Sequence, residues 1–188
     1  MKNSGIKLSN VGEIVKICNK YTEIDTKNFL NLMEDNHYSS RKKMHEAAKC
    51  GDLKKIQYLR SKGVSAEIKD EQGKTILHIS IIYNKKEIVE YLCEQGVEKN
   101  VQDNNGMTPL HHAVTKSNLD IVKVLLPNVD KVAKESIEAK DQIQDLQIKY
   151  INTTDHEKKT ALHYALSLKN IKIIQFMKRR QLCIMLFL

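Results

Sequence analysis

Apolar positions along this 188-residue chain fall into short runs at helical spacing, divided by polar turns. Ile88, Val89, Tyr91 and Leu92 share one helical face, and so do Ile121, Val122, Val124 and Leu125. Before each of these runs lies a shorter one, opened by Thr75-Ile76-Leu77-His78 and by Thr108-Pro109-Leu110-His111. The threonines are placed to cap a helix N-terminus. Ahead of them stand the polar turns Asp70-Glu71-Gln72-Gly73 and Asp103-Asn104-Asn105-Gly106, whose glycines supply the positive φ that such turns need. Gly63 and Gly96 fall where the longer helices should stop. Each unit thus reads as a turn followed by two short antiparallel helices.

The units repeat. Thr108 lies 33 residues beyond Thr75, and Ser117-Asn118-Leu119-Asp120-Ile121-Val122 lies 33 beyond Asn84-Lys85-Lys86-Glu87-Ile88-Val89. A step of 33 back from His78 reaches His45, in His45-Glu46-Ala47-Ala48. The forward match to Thr108 is Thr160-Ala161-Leu162-His163, 52 on, so 19 extra residues separate these two registers. Neither helix of a unit buries its apolar face alone, and stacking on neighbouring units does so.

The chain resembles the ankyrin repeat family. The resemblance is carried by Gly73-x-Thr75-x-Leu77-His78, by Gly106-x-Thr108-Pro109-Leu110-His111-His112-Ala113 and by Thr160-Ala161-Leu162-His163-Tyr164-Ala165, with Ile88–Leu92 and Ile121–Leu126 matching the second helix. It spans about residues 41–181 and implies an all-α solenoid of about four helix pairs, the first and last incomplete. The expected division is an N-terminal helical cap over 1–40 and repeats over 41–188: 41–73, 74–106, 107–158 with the insertion, and an incomplete 159–188. Three departures stand out. Ile76 replaces the family's proline, which predicts a less sharp helix start. Ser39-Ser40-Arg41-Lys42-Lys43 replaces the first turn. Lys158 replaces the fourth turn's glycine, which puts that hairpin in question.

Two segments lie outside the repeats. Residues 9–37 carry helical spacing in Val11, Ile14, Val15, Cys18, Phe29, Leu30, Leu32 and Met33, which predicts one or two capping helices. Within 127–150, Val132, Ala139, Ile143, Leu146 and Tyr150 fall on one helical face. That segment reads as an amphipathic extension of the second helix or as an added helix after a kink at Pro127.

Composition narrows the chemistry. The formal net charge is +8, from 31 basic and 23 acidic residues, and the excess sits at the two ends. Arg41-Lys42-Lys43 and Lys178-Arg179-Arg180 invite an anionic surface or nucleic acid, but aromatic residues total 5% and none interleave the basic clusters, which argues against a nucleic-acid partner. Lysine outnumbers arginine 27 to 4, a bias typical of A+T-rich genomes. No apolar stretch approaches the ~18–20 residues of a membrane span, and residues 1–18 lack the apolar core of a cleaved signal. The apolar end, Leu182-Cys183-Ile184-Met185-Leu186-Phe187-Leu188, departs from a polar terminal cap; it reads as a cap on the last repeat, a segment that pairs with another chain, a contact with a membrane surface behind Lys178–Arg180 or, the favoured reading, the end of a truncated or frameshifted reading frame. Four widely spaced cysteines make no disulfide framework, so the expected compartment is a reducing one, cytoplasmic, with delivery into a host cell left open.

No nucleophile elbow, phosphate-binding loop or HExxH is present, so no enzyme, cofactor or metal is expected. Cys50 and Cys93 are expected at helix-packing positions. His45, His78, His111 and His163 recur once per unit, about 10 Å apart if the helices pack normally, too far to share an ion. Each is expected to hydrogen-bond the adjoining turn. The family resemblance implies a protein target on the concave face. Carried over by register, the contact residues are Glu71, Gln72 and Lys74; Asn104, Asn105 and Met107; His156, Glu157 and Lys159 at the turn tips; and Ile82, Tyr83, Thr115 and Lys116 on the first helices, with Tyr83 and Met107 as anchors. Such a module fits a host-directed effector. The alternatives are a fragment of a longer ankyrin protein without activity of its own, or a weak binder of anionic surfaces through the basic ends.

Overall fold

The computed structural model describes residues 39–126 and 137–185. The chain divides into two compact units, Met1–Ser40 and Arg41–Leu188. The helices expected within 9–37, Val132 and the final residues 186–188 lie outside the described residues, as do the side chains of Ala139, Ile143 and 181–185. Among the described residues there are nine helices and no strand: α1 (39–50), α2 (Leu53–Ser61), α3 (Ile76–Ile82), α4 (Lys86–Glu94), α5 (Pro109–Thr115), α6 (Leu119–Leu125), α7 (Ile137–Asn152), α8 (Ala161–Ser167) and α9 (Ile171–Met185).

The helices pair as α3–α4, α5–α6 and α8–α9. The first helices α3, α5 and α8 stack on one another in that order, and the second helices α4, α6 and α9 form a parallel row. One apolar core runs through the stack. Leu77, Ile81, Ile88, Val89 and Leu92 in one layer meet Leu110, Val114, Ile121, Val122 and Leu125 in the next, all at most 3% exposed. Burying each such side chain is worth about 1.5–3 kcal/mol, so stacking rather than helix propensity holds these seven- to nine-residue helices.

The expected irregularities resolve differently. The first unit has no turn: α1 runs through the serines and lysines that replace it. Ile76 begins α3 at the same register at which Pro109 begins α5, because Thr75 and Thr108 both close a capping box with the histidine three residues on. The proline is not needed to place the start. Lys158 keeps the turn intact by taking φ +59°, where Gly73 and Gly106 take +75°. A left-handed non-glycine residue costs about 1 kcal/mol or more. Lys158→Gly is therefore expected to raise stability by about 1 kcal/mol. Thermal denaturation checks this, and an unchanged or lower midpoint would count against strain at Lys158.

α6 ends at Leu125, and the described part of the insertion, from residue 137, is a helix of its own, α7. It packs on α8 and α9. Its buried face differs from the one expected. Leu146 is 47% exposed, Tyr150 is half-buried, and Gln147 and Ile151, four apart, turn inward. Two short polar ties fix its exit: Asn100 Nδ2 donates to Thr153 Oγ1 at 2.9 Å and Gln102 Nε2 to the Thr154 carbonyl at 2.8 Å. Cys50 also departs from expectation. It is exposed at the end of α1, its thiol 3.5 Å from Glu46 Oε1, because its register places it beyond the buried Ala47 and Ala48.

Candidate functional site

The three turns share one mechanism. In each, Asp Oδ1 accepts two backbone N–H groups: from Gln72 and Lys74 at Asp70 (2.9 and 2.8 Å), from Asn105 and Met107 at Asp103 (both 2.9 Å), and from Glu157 and Lys159 at Asp155 (both 2.9 Å). The second carboxylate oxygen is used according to what stands nine residues on. Asp103 Oδ2 accepts from His112 Nε2 at 2.9 Å, and Asp155 Oδ2 from the Tyr164 hydroxyl at 2.5 Å. These hydrogen bonds hold the Asp103 and Asp155 carboxyls below the usual range against their own desolvation, and Asp155 in turn pushes the Tyr164 phenol up to about 12.

Histidines tie one unit to the next. Nδ1 of His78, His111 and His163 accepts the backbone N–H of Thr75, Thr108 and Thr160 at 3.1–3.2 Å. An accepting Nδ1 carries no proton, so the neutral ring holds it on Nε2 and must donate there. His78 Nε2 donates to the Met107 carbonyl at 3.3 Å, and His111 Nε2 to that of Lys159 at 3.1 Å. His45 Nε2 likewise meets the Lys74 carbonyl at 3.0 Å, but its Nδ1 faces the Arg41 carbonyl at 2.9 Å instead of a backbone N–H. The second of these links steps over the whole insertion. The neutral rings are locked in by burial, which pushes His78 down to about 4 and lowers His111 and His112 as well. Adjacent tips are also joined directly: Asn104 N donates to the Gln72 carbonyl at 3.0 Å, and His156 N to that of Asn105 at 3.2 Å.

This scaffold satisfies the backbone and leaves the side chains outward. Glu71, Gln72, Asn104, Asn105, His156, Glu157 and Lys159 are exposed, while Lys74 and Met107 are half-buried. Some are engaged with each other: Asn104 Nδ2 with the Glu71 carbonyl at 3.0 Å, Lys74 Nζ with Gln72 Oε1 at 2.5 Å, Lys159 Nζ with Glu157 Oε2 at 2.6 Å. On the first helices Tyr83 is 45% exposed and Lys116 is exposed; Ile82 and Thr115 are half-buried. Three more residues belong to this surface and escaped the sequence reading. Lys49 holds its Nζ 5.5 Å from the centre of the Tyr83 ring, Lys159 Nζ lies 5.9 Å from that of Tyr164, and Leu168 is 48% exposed. The signal was the register itself: Lys49 aligns with Ile82, Tyr164 with His112, and Leu168 with Tyr83.

Among the described residues no three His, Cys, Asp or Glu side chains converge on a metal position. Burial pushes the Cys93 thiol up, away from the thiolate a nucleophile needs. No helix among the described residues is long and apolar enough to cross a membrane.

Among curated proteins none matches this chain. The family model for ankyrin repeats in three copies matches residues 44–141, more than half the length. The histidine ladder carries the same construction past that point, since His111 bonds the fourth turn as His78 bonds the third. On the sequence match and the repeated turn–helix–helix geometry together, the chain belongs to the ankyrin repeat family.

Proposed function

We propose that the protein is a non-catalytic recognition module that binds a protein target across the concave face formed by its turn tips and first helices. The observation that carries this reading is the split between backbone and side chain. Each of the three turns is fixed by hydrogen bonds that use its aspartate and the neighbouring histidines, while the remaining tip side chains are free to differ from unit to unit. A rigid frame with variable outward groups loses little entropy on binding. Glu71, Gln72, Lys74, Asn104, Asn105, Met107, His156, Glu157 and Lys159 form the tip contacts, and Ile82, Tyr83, Thr115 and Lys116 the helix contacts.

Tyr83 is the expected anchor, an aromatic ring nearly half exposed on an otherwise well-packed layer. Tyr83→Ala should weaken the complex by at least about 1 kcal/mol while leaving the melting curve in place. Affinity capture at physiological salt provides the partner, using the intact chain beside a variant changed at Glu71, Tyr83, Asn104 and Met107. A protein recovered by the first and lost by the second supports the concave face. Equal recovery by both removes that support. Host-directed delivery is compatible with the lysine-rich composition and is tested by locating the protein in infected or fed cells.

A nucleic-acid reading has a narrower basis. Lys178 and Arg179 are exposed on α9, and the Arg180 guanidinium lies 5.2 Å from the centre of the Phe176 ring, a cation–aromatic pair on the helix surface. If these residues grip a phosphate backbone, affinity should collapse between low and physiological salt.

A further inference from the structure

The last turns of the first helices, and the links that follow them, lie in register at 49–51, 82–84, 115–117 and 167–169. They form a ridge along the lower edge of the first-helix row. Across these twelve positions there are three lysines, Lys49, Lys116 and Lys169, all exposed, and no carboxylate. A fourth cation joins them, because the Lys85 side chain lies over Gly51, its Nζ 3.3 Å from where a Cβ would stand. Two apolar side chains interrupt the charge: Tyr83 at 45% and Leu168 at 48% exposure. One carboxylate reaches the ridge: Glu46 Oε1 accepts from the Cys50 thiol at 3.5 Å, at its first-unit end. Of the other acids close in sequence, Asp52 Oδ1 accepts the Lys55 N–H at 2.9 Å as a helix cap, Asp120 is paired with Lys123 at 3.6 Å, and Glu87 is exposed on the first turn of α4. The turn tips differ, carrying both signs in Glu71 with Lys74 and in Glu157 with Lys159.

We propose that this ridge receives an acidic polypeptide segment bearing apolar side chains, with a carboxylate set on Lys116 between apolar groups seated on Tyr83 and Leu168. The inference rests on the protein-binding reading above and names the class of partner. A single exposed ion pair contributes little, but a row of one sign steers an oppositely charged chain and rejects a basic one. The lysine stems add apolar contact once their charge is met. The spacing is attainable. Packed helices stand about 10 Å apart, and a partner covers that distance, with its side chains still on one face, in about seven residues of helix or three of polyproline II.

The test uses the full chain and two synthetic peptides. One is helical, with Leu at i and i+14 and Glu at i+7; the other is a polyproline II segment, whose three-residue turn puts Leu at i and i+6 and Glu at i+3 on one face. Each has a twin with Lys in place of Glu. At least one acidic peptide should saturate the chain, and its affinity should fall with salt. Combining Lys49→Glu, Lys116→Glu and Lys169→Glu should weaken it about a hundredfold, and Tyr83→Ala about tenfold. The three lysines are exposed, so the melting curve of the triple variant should stay in place, which keeps loss of binding distinct from loss of fold. Binding of the Lys twins as tightly as the Glu peptides overturns the proposal. So does equal competition by a single-stranded oligonucleotide, which would make the ridge a general polyanion site. Failure of both acidic peptides overturns the ridge alone, because the capture experiment tests protein binding independently. Loss of binding on changing Glu71 and Asn104 but not the lysines moves the site to the tips and leaves the module reading standing.

Discussion

Acidification from pH 7 to pH 5 is expected to destabilise the fold by about 2 kcal/mol through His78 alone, and by about 3 kcal/mol at pH 4 and below. The ring is fully buried, with its Nδ1 on the Thr75 N–H and its Nε2 on the Met107 carbonyl. Burial, with the nearby His112, pushes its pKa down to about 4, from an ordinary value of 6.5. Above 6.5 both the folded and the unfolded ring are neutral and the contribution is fully present. Below 6.5 the unfolded chain takes up a proton that the folded chain refuses, so stability falls with pH until the folded ring also titrates. His111 and His112 are lowered as well and act in the same direction. Asp103 and Asp155, held below the usual carboxylate range, lose their contributions further down. Urea denaturation at pH 7, 6 and 5 measures the effect, and His78→Gln should flatten the slope. A midpoint that does not move across this range would mean the ring is not held neutral.

The same histidines show what the sequence could and could not disclose. Their recurrence at a step of 33, with one break of 19, was enough to place the starts of α3, α5 and α8, but not that of α1, which already runs from residue 39, ahead of the register. That they bond the following turn was foreseeable from position. The insertion was harder. Its apolar positions defined a face containing Leu146, yet Gln147 and Ile151 are buried, because α7 is oriented by α8, α9 and the polar ties from Asn100 and Gln102 rather than by its own amphipathicity. Tertiary contacts of this kind leave no periodic trace. The candidate surface was legible wherever the register was followed through. It was incomplete where attention rested on the turns, which is how Lys49 and Leu168 were passed over. Cys50 was misplaced for a related reason: the register alone puts it beside Tyr83 and Lys116, and both of those are exposed.

Lys158 raises the question of why the turn glycines cannot be exchanged as readily, and the answer yields the other large effect. Gly106→Ala is expected to cost about 3 kcal/mol or more. Gly63→Ala and Gly96→Ala should each cost only about 1 kcal/mol. All three have positive φ, +75°, +84° and +71°, so strain within the residue is similar. The neighbours differ. Nothing lies within 4 Å of a Cβ on Gly63 or Gly96. A Cβ on Gly106 would stand 2.7 Å from the His156 backbone nitrogen and 3.0 Å from the Asp155 carbonyl carbon, backbone atoms of the next turn that cannot swing aside. Gly73→Ala should resemble Gly106→Ala, since its Cβ would meet Asn104 N at 2.8 Å. Lys158 is tolerated in the fourth turn because no further tip is laid against it among the described residues. To admit the methyl group, the fourth tip must move away from the third, breaking the bond from His156 N to the Asn105 carbonyl. Gly106→Ala should therefore weaken any partner that spans tips three and four at a temperature where the variant is still folded. Urea midpoints of the four alanine variants give the order. Equal losses at all four would show that φ alone sets the cost and that the tips are not pressed together.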